Sequence, residues 1–421
     1  MLEKTKFRDG FARSVFLVLA GTSLVNFFNF IYQVLIAHYV SALEFAAFNA
    51  ILAIYLVVST PLSALQTAVV KYCAEFNADS QAGKVKAFLS RLSAIIAVLA
   101  VATFFVSYFL VPPMMDRLKI YSDVSGYILV FLLALSWVIP IFMGGVQGLE
   151  RFGWLMAAAV TAGGIKLGLC YLSLSSGFGI AGALGSFLSA VIIQAIICSV
   201  ILKSYIVFWP PRAEVRFSEI LFYLLPILAS TFCFICLVNL DMVLVKLFFT
   251  PAEAGSYALA QMLGKIFLFL PSAISIVLLP RVSGLHARRS DTASTLRASL
   301  LLATALCVIA VAVYNLAPSF TLKVLTGKAP LESITLGRFF SISMTFASLL
   351  FILITYFLSV EDLRFIKYLV LLTLAQVIGI ALFHSSLVQV QLIMCVNMIL
   401  LFSIHLGLIL RKKPAGAVCR T

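Results

Sequence analysis

The sequence SALEFAAFNAILAIYLVVSTPLSALQTAVVK, residues 41–71, carries no charged side chain between Glu44 and Lys71. About 20 apolar residues are enough for an α-helix to cross the hydrocarbon core of a bilayer. Similar runs recur along all 421 residues, of which 63% are hydrophobic and 11% charged, with mean hydropathy +1.13. A soluble domain needs more polar surface, and a transmembrane barrel needs short alternating segments. The sequence therefore predicts an all-α polytopic membrane protein.

Twelve apolar runs are predicted to be membrane-spanning helices. The first run is too long for the apolar part of a signal peptide, so we expect it to be a retained span. The fifth and sixth runs, like the last two, are separated by only a few residues, which indicates tight helical hairpins. The twelve runs cover residues 14–37, 43–70, 92–112, 124–147, 154–175, 178–202, 219–247, 253–279, 298–318, 336–358, 366–383 and 389–410.

The basic residues predict the orientation of the chain. If both termini are cytoplasmic, 22 of the 30 Lys and Arg residues lie at or near the inner face and five at or near the outer face; the other three are Lys166, Lys246 and Lys265. This asymmetry follows the positive-inside rule and explains the net charge of +14 without nucleic acid as a partner. The two basic inner segments, 71–91 and 280–297, are predicted to be amphipathic interfacial helices, with lipid-headgroup or partner contacts as the alternative.

An internal repeat divides the chain into two halves. Segment 41–71 resembles TPAEAGSYALAQMLGKIFLFLPSAISIVLLPR, residues 250–281. In each copy a glutamate lies four residues before an aromatic side chain, and a mid-span proline lies ten residues before a basic residue. These residues are Glu44, Phe48, Pro61 and Lys71 in the first copy and Glu253, Tyr257, Pro271 and Arg281 in the second.

The repeat predicts two six-helix bundles that have the same orientation in the membrane and are related as a parallel pseudo-two-fold repeat. Residues 1–202 form the N-lobe, 203–218 a cytoplasmic linker, and 219–421 the C-lobe with a basic cytoplasmic tail. Parallel repeats of this kind place a substrate site between two lobes. Pro61 and Pro271 are candidate hinges or kinks, although they can equally serve to shape the helices alone.

Among the ionisable residues of the predicted spans, Lys166, Asp241 and Lys265 lie deep within a span, and Lys246 lies closer to a span end. An ionised side chain at the bilayer centre costs at least ~2.5–3.5 kcal/mol, so it seldom faces lipid. We hypothesise that Lys166 and Lys265 form a cationic site, with structural pairing to an acid or to backbone carbonyls as the alternative. Asp241 either carries a coupling proton or cation or neutralises Lys265 or Lys246. Lys246 lies near the outer end of its span, so we expect it to snorkel.

Small and polar residues in the spans predict helix contacts. Gly144-x-x-x-Gly148 and Gly164-x-x-x-Gly168 indicate close helix packing in the N-lobe. Polar amides in apolar spans more often bridge helices than contact a sugar. The amides are Asn26, Asn29, Gln66, Gln147, Gln194, Gln376 and Asn397.

The sequence resembles bacterial polysaccharide flippases of the O-antigen type, within the multidrug/oligosaccharidyl-lipid/polysaccharide (MOP) exporter superfamily. DMVLVKLFFTPAEAGSYALAQML, residues 241–263, is similar to the start of the second half in that family, with an Asp, an acidic residue, a Gly and a Tyr in the same order. Three further stretches are similar to family sequence. They are AGTSLVNFFNFIYQVLIAHYVSALEFAAF (20–48), GGVQGLERFGWLMAAAV (144–160) and GFGIAGALGSFLSA (177–190).

The resemblance implies a V-shaped pair of bundles around a central cavity and a cargo built on undecaprenyl pyrophosphate. Spans one and two line the cavity in similar proteins, which makes Asn26, Asn29 and Gln66 candidate ligands. Lys166 and Lys265 would then bind the pyrophosphate or an acidic sugar.

We therefore expect a flippase that translocates lipid-linked oligosaccharide or polysaccharide repeat units, such as those of lipopolysaccharide, by alternating access. The alternative is a multidrug-type, cation-coupled antiporter of the same superfamily, which would be expected to place acids rather than lysines in its cavity. No P-loop or catalytic constellation is apparent, so we expect a transporter without cofactor or metal site. Expected partners are the glycan lipid, membrane lipids, H⁺ or Na⁺, and polysaccharide polymerase or assembly proteins. The expected location is the bacterial cytoplasmic (inner) membrane.

Overall fold

The protein is helical wherever its structure is described. The computed structural model describes residues 2–60, 62–78, 81–206, 217–269, 274–275, 278, 281–283, 285 and 290–410, and none of these residues is in a strand. Ten of the described helices are long and apolar enough to cross a membrane, and a bent pair of helices makes an eleventh. The predicted fold class, an all-α polytopic membrane protein, is confirmed.

The chain divides into two compact units, Met1–Leu228 and Ala229–Thr421. The ninth helix contains the division, and most of the predicted linker, residues 207–216, lies outside the described residues. The helices up to this point are α1 (Leu2–Tyr39), α2 (Ala42–Ser59), α3 (Leu62–Ala78), α4 (Ala82–Arg117), α5 (Asp123–Leu135), α6 (Val138–Gly148), α7 (Phe152–Ser175), α8 (Gly179–Leu202) and α9 (Phe217–Phe248).

The second unit is built around one long, largely buried helix, Leu331–Ser359, which packs against the helices before and after it. The predicted span 253–279 begins as a helix and is described only in part beyond Phe269. The elements of this unit are α10 (Pro251–Phe269), α11 (Ala293–Leu316), α12 (Pro318–Thr326), α13 (Leu331–Ser359), a 3₁₀ turn (Leu363–Phe365), α14 (Ile366–Leu382) and α15 (Leu387–Leu410).

The predicted helical hairpins are confirmed. Helices α7 and α8 pack closely against each other, and α14 and α15 are also in contact. The α7–α8 turn places Gly177 at φ +82° and Gly179 at φ +54°, in the left-handed region that favours glycine. Helix α1 packs on α7, which brings the first and fifth predicted spans together.

Two predicted spans are interrupted rather than continuous. Span 43–70 is two helices, because α2 ends at Ser59 and α3 begins at Leu62; Pro61 between them lies outside the described residues. Span 124–147 consists of α5 and α6, which meet at an angle of 41°. Pro140 explains the second break, because proline has no N–H to donate to the carbonyl of Ser136 and its ring crowds that carbonyl.

The prediction of a separate interfacial helix at residues 71–91 was wrong. Residues up to Ala78 continue α3, and α4 begins at Ala82. Val85, Phe88 and Leu89 in the first turns of α4 are buried. Apolar contacts with the rest of the unit therefore hold this segment, and its basic residues lie on the ends of two long helices. Segment 280–297 is described only in part, with α11 beginning at Ala293.

The glutamates of the repeat begin equivalent helices. The backbone N–H of Ser41 donates to Glu44 Oε2 at 3.0 Å, and the N–H of Glu44 donates to Ser41 Oγ at 3.2 Å. Thr250 and Glu253 make the same pair of bonds at 2.9 and 3.4 Å before α10. Each pair is a capping box, which satisfies backbone donors at a helix start. The repeated glutamates are therefore helix-starting residues in both units.

The prediction of close helix packing at glycines is confirmed for Gly144 and Gly148 and wrong for Gly164 and Gly168. A Cβ on Gly148 would lie 2.6 Å from Cys73 Cβ and 2.8 Å from the carbonyl oxygen of Val70, and Gly144 is similarly close to α3. These contacts hold α6 against α3. In contrast, a Cβ on Gly164 would meet nothing nearer than 3.9 Å and one on Gly168 nothing within 4 Å. A close approach of α1 to α7 occurs instead at the neighbouring Gly163, where a Cβ would lie 2.9 Å from Phe28.

We expect Gly148→Ala to lower the stability of the protein and Gly168→Ala to leave it unchanged or slightly raise it. Both substitutions favour the helix by up to about 1 kcal/mol, but only the first inserts a methyl group into occupied space, at a cost of about 1–3 kcal/mol. Thermal unfolding of the purified variants in one detergent measures the difference. Equal stability of the two variants would contradict the packing.

Candidate functional site

Lys166 is a buried ammonium held by polar and aromatic groups. It lies in the middle of α7 and is 5% exposed. Its Nζ donates a hydrogen bond to Asn29 Oδ1 from α1 and lies 4.5 Å from the ring centroid of Tyr32 and 5.7 Å from that of Phe187. No carboxylate among the described residues pairs with Lys166. Its positive charge is therefore stabilised but not neutralised.

The aromatic contacts of Lys166 are fixed by other helices. Tyr32 Oη donates to the carbonyl oxygen of Ala183 in α8 at 2.8 Å, and the Tyr32 ring meets Phe48 of α2 edge-on at 5.9 Å. Each cation–π contact contributes about 0.5–2 kcal/mol. Together with the Asn29 amide, the rings offset part of the cost of burying the ammonium.

Asn26 and Asn29 lie on one exposed face of α1. They are three residues apart, so they project from the same side of the helix, and both are exposed within their unit. An amide side chain that faces lipid loses its hydrogen bonds to water. This face of α1 is therefore better suited to contact with water or polar groups than with lipid. Lys166 adjoins that face through Asn29.

Gln66 belongs to a bridge between helices. Its Nε2 donates to Gln147 Oε1 at 3.2 Å, which joins α3 to α6. Gln194 of α8 contacts Met143 Sδ of α6 at 3.3 Å. These are the contacts expected of amides that bridge helices. Gln66 is also less exposed than Asn26 or Asn29, so it is less accessible to a ligand.

Asp241 is the centre of a polar network in the second unit. It lies in α9 and is 1% exposed. Its Oδ2 accepts hydrogen bonds from Tyr257 Oη at 2.8 Å and from Gln261 Nε2 at 3.0 Å, both in α10. Gln391 of α15 donates through Nε2 to Tyr257 Oη at 2.7 Å. The network therefore joins three helices, with α15 linked to the carboxylate through the Tyr257 hydroxyl.

Two buried oxygen atoms in this network have no hydrogen-bond donor among the described residues. They are Asp241 Oδ1 and Gln391 Oε1. An unsatisfied buried polar atom costs about 1–3 kcal/mol, so such atoms usually bind a proton, a cation or water. The network is thus chemically able to hold a proton or a small cation.

Lys265 lies on the same helix face as the network. Tyr257, Gln261 and Lys265 are spaced by four residues along α10, which puts them on one side of that helix. The half-buried Lys265 ammonium interacts electrostatically with the Asp241 carboxylate. The contacts of Lys265 thus resemble the structural-pairing alternative more closely than those of Lys166 do.

The expected snorkelling of Lys246 was wrong. Lys246 is 2% exposed, so it is buried in the protein and does not extend to an interface. The predicted hinge or kink residues, Pro61 and Pro271, lie outside the described residues.

Sequence reasoning missed most partners of the two charged centres. Tyr257 was recognised as a marker of the repeat, but its hydroxyl contact to Asp241 was not predicted. The four-residue spacing of Tyr257, Gln261 and Lys265 in an apolar helix would have revealed a polar face. No such signal existed for Tyr32 and Phe187, because aromatic residues are common in spans.

Tyr257→Phe is expected to destabilise the protein by about 1–3 kcal/mol, since it removes the donor to Asp241 and the acceptor for Gln391 inside a buried network. Tyr368→Phe is the control, because it removes the hydroxyl of a half-buried tyrosine that has no hydrogen bond to any described residue. Unfolding in one detergent compares the variants, and equal loss of stability would show that the network is not specifically stabilising.

Comparison with known proteins identifies the fold and a family. The sequence matches the family described as polysaccharide biosynthesis protein over residues 11–286. No curated protein matches the sequence.

Solved transporter structures have the same fold. An inward-facing multidrug resistance MATE family transporter of the MOP superfamily has a TM-score of 0.75 at 12% identity, over 95% of this chain and 100% of that chain. The lipid II flippase MurJ, in an inward closed conformation, has a TM-score of 0.68 at 16% identity, over 94% and 87%. The MATE multidrug transporter DinF-BH has a TM-score of 0.66 at 14% identity, over 95% and 94%. The chain therefore has the fold of MOP-superfamily transporters, and the matched structures are transporters rather than enzymes.

Proposed function

Because the chain belongs to the polysaccharide biosynthesis protein family, we propose that it is a flippase for glycans linked to undecaprenyl pyrophosphate in the bacterial cytoplasmic membrane. The family match agrees with the resemblance to polysaccharide flippases in the sequence. A multi-pass chain with a MOP-superfamily transporter fold is suited to this task.

The observation that carries the proposal is the chemistry around Lys166. The ammonium is buried, its charge is not neutralised by a described carboxylate, and it adjoins an exposed amide face. Such a site favours an anion, because the attraction between opposite charges grows where water is sparse. A pyrophosphate or an acidic sugar supplies that anion, whereas a cationic drug is repelled by it.

The proposed cycle uses alternating access between the two lobes. The headgroup of the glycan lipid contacts Asn26 and Asn29, and its phosphate replaces the amide oxygen that now accepts from Lys166. Lys265 provides a second cationic contact from the C-lobe when it is not engaged by Asp241. The polyprenyl chain stays in the lipid while the polar part crosses.

Asp241 is proposed as the coupling residue for a proton or Na⁺. Its free carboxylate oxygen and the free amide oxygen of Gln391 support this role. Binding of a cation there weakens the attraction between Asp241 and Lys265, which frees Lys265 for the cargo. The same step links an ion gradient to the affinity for an anionic headgroup.

We expect Lys166→Met to reduce glycan export about 10- to 100-fold, because a charge-assisted contact to the cargo contributes about 1.5–3 kcal/mol. Surface glycan is measured in cells lacking the native protein, with membrane levels of each variant matched. Lys323→Met is the control, since Lys323 is an exposed basic residue outside the site. Normal export by the Lys166 variant, or export of a cationic drug by the wild type, would overturn the proposal.

Asp241→Asn is expected to abolish stimulation of transport by an ion gradient while cargo binding remains. The measurement uses proteoliposomes in which a proton gradient and a Na⁺ gradient are imposed separately. Asp123→Asn serves as the control, because Asp123 is exposed at the start of α5. Coupling through Asp241 is rejected if the variant still responds to the gradient that drives the wild type.

A further inference from the structure

A groove in the second unit lies apart from the charged centres. It has a volume of about 510 Å³ and runs between the end of the predicted eighth span and the first turns of α11. Its walls are formed by Ile274, Leu278, Arg281, Ser294, Thr295, Ala298, Ser299 and Leu302. Sequence and charge place this end of both helices at the face predicted to be cytoplasmic.

The groove is polar at one end and apolar at the other. Arg281, Ser294 and Thr295 lie at the predicted membrane surface, whereas Leu302 is eight residues further along α11, about 12 Å deeper. Ile274 and Leu278 precede Arg281 and face the same groove. This change from polar to apolar along the groove matches a membrane lipid, whose headgroup lies at the membrane surface and whose acyl chains lie deeper.

The polar groups of the groove are available for a ligand. Neither the Arg281 guanidinium nor the hydroxyls of Ser294, Thr295 and Ser299 make a hydrogen bond or ion pair with a described residue. The residues just before them are already engaged: Thr292 bonds Tyr356 at 2.8 Å, and Asp291 accepts from the N–H of Ala293 at 2.9 Å. The groups that remain are three hydroxyl donors and one fixed positive charge.

We propose that this groove is a binding site for an anionic phospholipid of the cytoplasmic leaflet. Arg281 and the hydroxyls of Ser294 and Thr295 bind the phosphate, and the acyl chains lie along Ile274, Leu278 and Leu302. The first-turn N–H groups of α11 add favourable dipoles, which offset the nearby Asp291 carboxylate. A net negative headgroup is preferred over a zwitterionic one, because the groove offers a cation but no carboxylate within its walls.

The groove is less suited to the glycan lipid itself. A pyrophosphate carries more negative charge than one arginine neutralises, and no amide or aromatic side chain lines the walls to contact a sugar. The phospholipid site is therefore separate from the proposed cargo site around Lys166.

The test compares Arg281→Ala with Arg297→Ala in the full-length protein. Arg297 is exposed on α11 near the same membrane face but does not line the groove, so it reports general attraction between basic residues and anionic lipid. Each variant is purified, shown to be folded by circular dichroism, and titrated with phosphatidylglycerol or phosphatidylcholine. Bound lipid is counted by native mass spectrometry.

We expect Arg281→Ala to weaken phosphatidylglycerol binding by roughly tenfold or more, as for loss of a charge-assisted contact, with phosphatidylcholine binding unchanged. Arg297→Ala should retain the preference for phosphatidylglycerol. Equal losses in both variants would show only a general surface attraction. Displacement of the bound phospholipid by undecaprenyl pyrophosphate at lower concentration would show that the groove binds the cargo lipid instead. Either result would overturn the proposal.

Discussion

Charge buried among membrane-spanning helices has to be stabilised by other groups of the protein, and the two units meet this constraint in different ways. In the first unit, an amide oxygen and two aromatic rings surround Lys166 and leave its charge without a described counter-ion. In the second unit, a tyrosine and a glutamine donate to Asp241, with Lys265 as its electrostatic partner. One unit thus holds a net cation, and the other holds charges of both signs.

These different sites are built on the same local framework. A capping box begins α2 and α10, and four residues after each glutamate an aromatic side chain is fully buried. Phe48 at this position packs edge-on against Tyr32, which supports Lys166. Tyr257 at the equivalent position adds one hydroxyl, and this hydroxyl binds Asp241. At equivalent positions of the repeat, Phe48 therefore supports an aromatic ring, whereas the additional hydroxyl of Tyr257 binds a carboxylate.

Interruptions and small residues adapt this framework to close packing. The bend between α5 and α6 and the glycine contacts of α6 with α3 bring a short helix against its neighbour at backbone distance. The Gln66–Gln147 bond spans the same interface. Helix α6, which follows the bend, is therefore packed closely against α3. The bend is part of the packed structure of the unit.

The sequence alone determined the fold class, because apolar runs of membrane-spanning length have few alternatives in lipid. It also identified the helical hairpins, the repeat, the close packing at Gly144 and Gly148, and the charged residues deep in the spans. Each of these features can be recognised from the spacing of residues along the sequence. Tertiary structure decided which side chains meet: Gly163 rather than Gly164 contacts α1, Lys246 is covered, and Tyr32, Phe187, Gln261 and Gln391 surround the charged groups. Such contacts join helices distant in sequence, and periodicity within one helix does not specify how neighbouring helices are rotated against it.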